Sequence, residues 1–201
     1  MLRRRIVMTL IGVTICGFSV GMFNFSQFGM DPFQTFAHGI WKHTSFSYGF
    51  VYMVINGIMC VLDWFLDKTK IGIGTFINLF LLGYVVDFST ALWTGLIPDP
   101  STVVRFLFLL AGIVIMCLGS ALYYTGNLGV STYDAIPLCI TERKDTDFRK
   151  VRISCDLICT LTGFLLGQMP GIGTIITAFF MGPLISFFNR TVAEPLLNGR
   201  K

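Results

Sequence analysis

The chain has 201 residues, 54% hydrophobic and only 13% charged, with a mean hydropathy of +0.73. A soluble domain carries about 25% charged residues. Half that share is too little to wet a globular surface, and several apolar runs reach the ~18–20 residues that span a bilayer. The net charge of +4 does not point to nucleic acid, because the charges cluster at the ends of apolar runs; helix-length runs likewise exclude a membrane β-barrel.

Arg3, Arg4 and Arg5 precede an apolar run from Ile6 to Phe25. A basic start before an apolar run also fits a signal peptide. No small-x-small cleavage site follows, however, and the second half repeats the run at Phe106 to Thr125. The expectation is an uncleaved first span. It ends in the octet Gln27-Phe28-Gly29-Met30-Asp31-Pro32-Phe33-Gln34, followed by a short mixed segment from Pro32 to Phe46.

A second helix is expected from Tyr48 to Leu66, and a third after Gly72-Ile73-Gly74-Thr75, running to Trp93. Pro98 and Pro100 then enforce a turn. The fourth helix, Val103 to Thr125, leads into the octet Asn127-Leu128-Gly129-Val130-Ser131-Thr132-Tyr133-Asp134. That octet matches the first in residue type position by position. After the charged loop Thr141 to Lys150, a fifth helix is expected over Val151 to Gly167. A sixth follows Gly171-Ile172-Gly173-Thr174 and ends near Asn189.

The duplication extends beyond the octets. At an offset of 100, Gly12 pairs with Gly112, Phe23 with Tyr123 and Asn56 with Asp156; at 99, Gly74-Thr75 pairs with Gly173-Thr174 and Gly83 with Gly182. The reading is therefore all-α: one membrane domain over 1–201, made of six transmembrane helices as two three-helix repeats, about 1–100 and 101–201. An odd number of spans per repeat inverts the second relative to the first. With the N-terminus inside, thirteen Lys and Arg fall on the cytoplasmic side and only Lys42 and Arg105 outside. This is the pattern of a bacterial plasma (inner) membrane protein with both termini cytoplasmic.

Each octet carries a cap signature: Asp31-Pro32-x-Gln34 and Ser131-x-x-Asp134 read as N-cap and N3. A helix break also presents free backbone groups and a positive N-terminal end to a solute. Both readings stay open, as does whether 32–46 and 133–140 re-enter the bilayer or lie on it. Continuous helices up to the glycines would put the octets towards opposite faces, as two gates of one path. Residues expected to bind or line that path are Gln27, Gly29, Asp31, Gln34, Asn56, Asn127, Gly129, Ser131, Asp134 and Asp156. Acids inside spans are costly and default to function, so Asp134, Asp156 and Asp87 are the candidates for proton or ion coupling; Asp156 also has Arg152 at i−4 as an ion-pair partner.

Gly17-x-x-x-Gly21 is a small-residue packing face for this chain or a partner. The six cysteines fall in apolar segments without a CxxC pair, so packing is expected, with no metal or cofactor. No nucleophile–base or dinucleotide motif appears, and an enzyme is not expected. Together the Gly-x-Asp-Pro-x-Gln and Gly-x-Ser-Thr-x-Asp breaks and the Gly-x-Gly-Thr helix starts resemble the YczE/YyaS/YitT family of bacterial integral membrane proteins, from Ile6 to Asn189. The resemblance implies a similar size and span number and carries no agreed activity. The leading expectation is a small secondary transporter or substrate-binding membrane protein for a small polar solute, alone, as a homo-oligomer or with an energy-coupling partner. The alternative is a non-transporting scaffold for a biosynthetic or export assembly, which would use the charged loop from Glu142 to Lys150.

Overall fold

A computed structural model describes residues 2–146 and 148–198, except for the side chains of residues 148–149 and 178–180. Asp147 of the charged loop, and Arg200 and Lys201 among the topology-marking charges, lie outside the described residues. Among the described residues the chain is all-helical, with no strand. The elements are α1 (Leu2–Ser26), α2 (Pro32–Trp41), α3 (Tyr48–Asp67), α4 (Ile73–Leu96), α5 (Thr102–Gly126), α6 (Thr132–Lys144), α7 (Phe148–Leu165), α8 (Ile172–Phe188) and a short α9 (Glu194–Asn198).

Among the described residues, four helices are long and apolar enough to cross a membrane: α1, α3 with its 3-10 extension to Lys70, α4 and α5. Six were expected. α7 carries Arg149, Lys150, Arg152 and Asp156 within 18 residues, and α8 stops at 17, where the helix widens into a π turn over Asn189–Ala193. Large apolar side chains face outward, as lipid requires, and polar ones are among those turned in: Phe65, Leu165 and Leu107 are 80%, 75% and 57% exposed, whereas Thr9, Ser19 and Asn56 are buried.

α1 and α5 form the spine, running antiparallel. Early residues of α1 meet late residues of α5: Thr9 lies against Gly126, Gly12 against Gly119 and Tyr123, and Phe23 against Gly112. Glycine is needed at these crossings, because a Cβ on Gly12 would stand 2.7 Å from the Gly119 carbonyl oxygen. At mid-helix the Ser19 hydroxyl donates to the Gly112 carbonyl at 2.6 Å. α4 covers α1 through Gly17 against Val85 and Gly21 against Ser89. The Gly17-x-x-x-Gly21 face is thus filled within the chain and is not available as a docking surface for another protein.

The two halves differ in how their last two helices pack. α3 packs on α4 where Gly49 meets Gly83, and the Gly49 N–H donates to the Asp87 carboxylate at 2.8 Å. α7 instead makes its main contacts with α2 and α6. At Gly182, which the sequence pairs with Gly83, an added methyl would meet no described atom within 4 Å. α3 and α4 are closed on one another; among the described residues α7 and α8 hardly touch.

Candidate functional site

Both octets break the helix in the same way. Gln27 (φ 58°) and Asn127 (φ 47°) take the left-handed conformation that ends α1 and α5, and Gly29 and Gly129 follow at φ +103° and +107°. Asp31 and Ser131 then cap α2 and α6, accepting from the N–H groups of Gln34 (3.1 Å) and Asp134 (3.2 Å).

The broken backbone is satisfied crosswise. The Gly74 N–H donates to the Leu128 carbonyl (2.7 Å) and the Thr75 hydroxyl to the Val130 carbonyl (2.7 Å). In the other half the Gly173 N–H donates to the Phe28 carbonyl (2.8 Å). Each octet therefore docks on the Gly-x-Gly-Thr helix start of the opposite half. The two sequence motifs, separate in the chain, are each other's partners.

Past each break the chain folds back towards the middle of the spine. Asp31 and Ser131 share one cavity with Val13, Cys16, Met116 and Ser120 of α1 and α5. The first turns of α2 and α6 meet there, with the Phe33 and Tyr133 rings stacked at 4.7 Å and 17°. This corrects the expectation of two gates facing opposite sides. The glycine breaks do lie at opposite ends of the antiparallel spine, but the helices that follow them point their N-termini at one shared centre.

The cavity has a volume of about 780 Å³, within the ~300–1,000 Å³ range of small-molecule sites. Arg152 of α7 enters it and pairs with Asp134, and its Nε lies 3.4 Å from Asp156. Asp134 also accepts from the hydroxyls of Tyr124 (2.8 Å) and Ser131 (2.7 Å). The Tyr133 hydroxyl donates to Asp156, and the Arg152 guanidinium sits 4.5 Å over the Tyr133 ring. Asn56 accepts from the Thr132 hydroxyl at 2.6 Å, and Gln34 accepts from Tyr48. Outside the spans, burial pushes the Asp31 carboxyl up to about 6. Burial acts on Asp134 in the same sense, but Arg152 and the Ser131 and Tyr124 hydroxyls outweigh it and hold Asp134 below the usual carboxylate range.

Of the residues singled out in the sequence, Asp31, Gln34, Asn56, Ser131, Asp134 and Asp156 come together on this wall. Gln27 and Asn127 are exposed, Gln27 accepting from Arg105 at 2.6 Å. Gly29 and Gly129 pack against Gly171 and Gly72, and Asp87 caps the start of α3. Arg152, Tyr124, Tyr133 and Tyr52 are cavity residues that sequence reasoning missed as such. Arg152 stood out as an ion-pair partner for Asp156; nothing local marked it as central. Tyr133 did carry a signal, as the aromatic position shared by both octets.

Residues 3–190 match the family of unknown function DUF6198. The chain belongs to that family. Two bacterial proteins are also similar to it. One, an uncharacterized protein of Haemophilus influenzae, is 30% identical over 95% of this chain and 86% of its own. The other is the uncharacterized membrane protein YczE of Bacillus subtilis, 23% identical over 88% of this chain and 81% of its own. No solved structure matches. The YczE-like resemblance read from the octets and glycine motifs is thereby shown, and with it the membrane setting.

Proposed function

We propose that this protein is a six-span carrier of the bacterial inner membrane, with both termini cytoplasmic, which takes a small polar solute through the central cavity. In this reading the fifth and sixth spans are α7 and α8. At 1.5 Å per residue they are roughly 25–27 Å long, close to the ~30 Å hydrocarbon layer. Of the charges that disqualify α7 by composition, Arg152 and Asp156 lie on the cavity wall and are ion-paired there, as charges inside a membrane must be.

One observation carries the proposal: a cavity at the middle of the spine, walled by equivalent segments of both halves and holding a paired Arg152–Asp134–Asp156 cluster. Sites of this kind lie at the repeat interface of inverted-repeat carriers. The closed α3–α4 pair and the barely touching α7–α8 pair give further support. Two arrangements of equivalent helices in one chain are what an alternating carrier exchanges between its halves.

The test is efflux from proteoliposomes loaded with a bacterial metabolite extract, with the released solutes identified by mass spectrometry under an imposed pH gradient. Native protein is expected to speed release of at least one solute, and Asp134→Asn and Asp156→Asn to slow it by tenfold or more. Equal flux from native and variant proteins, or none above empty liposomes, sinks the carrier reading.

A further inference from the structure

We propose that the cavity is selective for a small organic monocation, an amine or quaternary ammonium with an apolar or aromatic body; this names the substrate class and rests on the carrier reading above. The argument starts from the charges on the wall. Three carboxylates line it, Asp31, Asp134 and Asp156, against the single guanidinium of Arg152. The N-termini of α2, with 10 residues, and α6, with 13, also point at the centre, each adding about +0.5 of an elementary charge. Three negative charges, one positive charge and two half charges leave about one negative charge uncompensated. A monovalent cation balances it.

The pairing shows where that charge resides. Arg152 is engaged by both Asp134 and Asp156, so it has little to offer an anionic solute. Asp31 belongs to neither ion pair and accepts from a backbone N–H. Of the three it is the carboxylate with no ion pair among the described residues. The rest of the wall suits the body of an organic cation: Phe33, Tyr52, Tyr123, Tyr124 and Tyr133 stand around the acids. The Tyr133 ring is already covered by the Phe33 ring and the Arg152 guanidinium, which leaves the other aromatic rings to meet a cation.

A second observation points to a ligand independently. Tyr123, only 4% exposed, stands in the cavity wall with its hydroxyl lacking a hydrogen-bond partner. A buried hydroxyl left unpaired is costly, and its oxygen can accept from the N–H of a bound amine.

Isothermal titration calorimetry on the full-length protein in lipid nanodiscs tests this, with benzyltrimethylammonium as the cationic probe and benzenesulfonate as the anionic one. Saturable binding of the cation alone is expected. Asp31→Asn should weaken it tenfold or more while preserving the fold, because Asn caps a helix as well as Asp does. Asp156→Asn is the second variant, and thermal unfolding of each confirms that it folds. Saturable binding of the sulfonate without the cation overturns the choice of charge and leaves the carrier reading intact. Equal binding of both, or cation binding untouched in both variants, also overturns it. If neither probe binds saturably while the metabolite efflux above persists, the cation assignment falls and the carrier stands.

Discussion

Gly29→Ala isolates the break itself. Gly29 sits at φ +103°, a region that costs an L-residue roughly 1–3 kcal/mol. The added methyl would lie 2.6 Å from the Gly171 nitrogen and 2.7 Å from its Cα. Both are backbone atoms and cannot rotate away, so the start of α8 must retreat. The Gly173 N–H to Phe28 carbonyl bond is then lost, a further loss of about 1 kcal/mol. Together these give roughly 2–4 kcal/mol, or a Tm lower by roughly 4–16 °C for a chain of this length. The assay is thermal unfolding in detergent with a thiol-reactive fluorophore, which reports exposure of the buried Cys16, Cys117 and Cys139. Gly57→Ala is the control: its methyl would meet nothing within 4 Å, and alanine should stabilise the α3 interior by roughly 0.5–1 kcal/mol. Gly129→Ala should behave like Gly29→Ala, because its methyl would lie 2.5 Å from the Gly72 nitrogen. If Gly29→Ala melts together with native protein, the crosswise docking of octet on helix start is wrong.

Two further outcomes follow from named groups. Asp31 is charged only above its raised pKa of about 6, so binding of benzyltrimethylammonium should weaken as pH falls through 6, by up to about tenfold per unit below it. The titratable groups around Asp31 are Arg152, Asp156 and Cys159 of α7, Tyr48 and Tyr52 of α3, and Cys16 of α1; affinity that is flat between pH 5 and pH 8 would falsify the role given to Asp31. Asp63 is fully buried with neither carboxylate oxygen hydrogen-bonded, so Asp63→Asn should stabilise the protein by roughly 1–3 kcal/mol, and a lower melting temperature would show that this carboxylate has a partner.

The sequence made the helices and their breaks legible because both are local properties. Apolar runs need length, and a break needs glycine with cap-forming neighbours. The crosswise docking was not legible, because Phe28 and Gly173 are far apart in the chain and meet only in the fold. The amides at Gln27 and Asn127 read as path residues in the sequence; in the structure both adopt the left-handed backbone, which at Asn127 is a conformation that Asn tolerates well. Arg152 was hidden for the opposite reason. A basic residue at the start of a helix reads as a topology marker, and only the packing of α7 on α2 and α6 turns it inward.

The crosswise docking also bears on how the protein is made. The first octet leaves the ribosome about 140 residues before its partner at Gly171–Thr174 exists. At synthesis rates of about 5–20 residues per second, the Phe28 carbonyl waits roughly 7–30 s for the Gly173 N–H. Unsatisfied backbone groups do not rest in hydrocarbon, so this segment has to stay near water or against the insertion machinery until the last helix arrives. In the finished fold each break is completed by a helix start that lies in the other half of the chain.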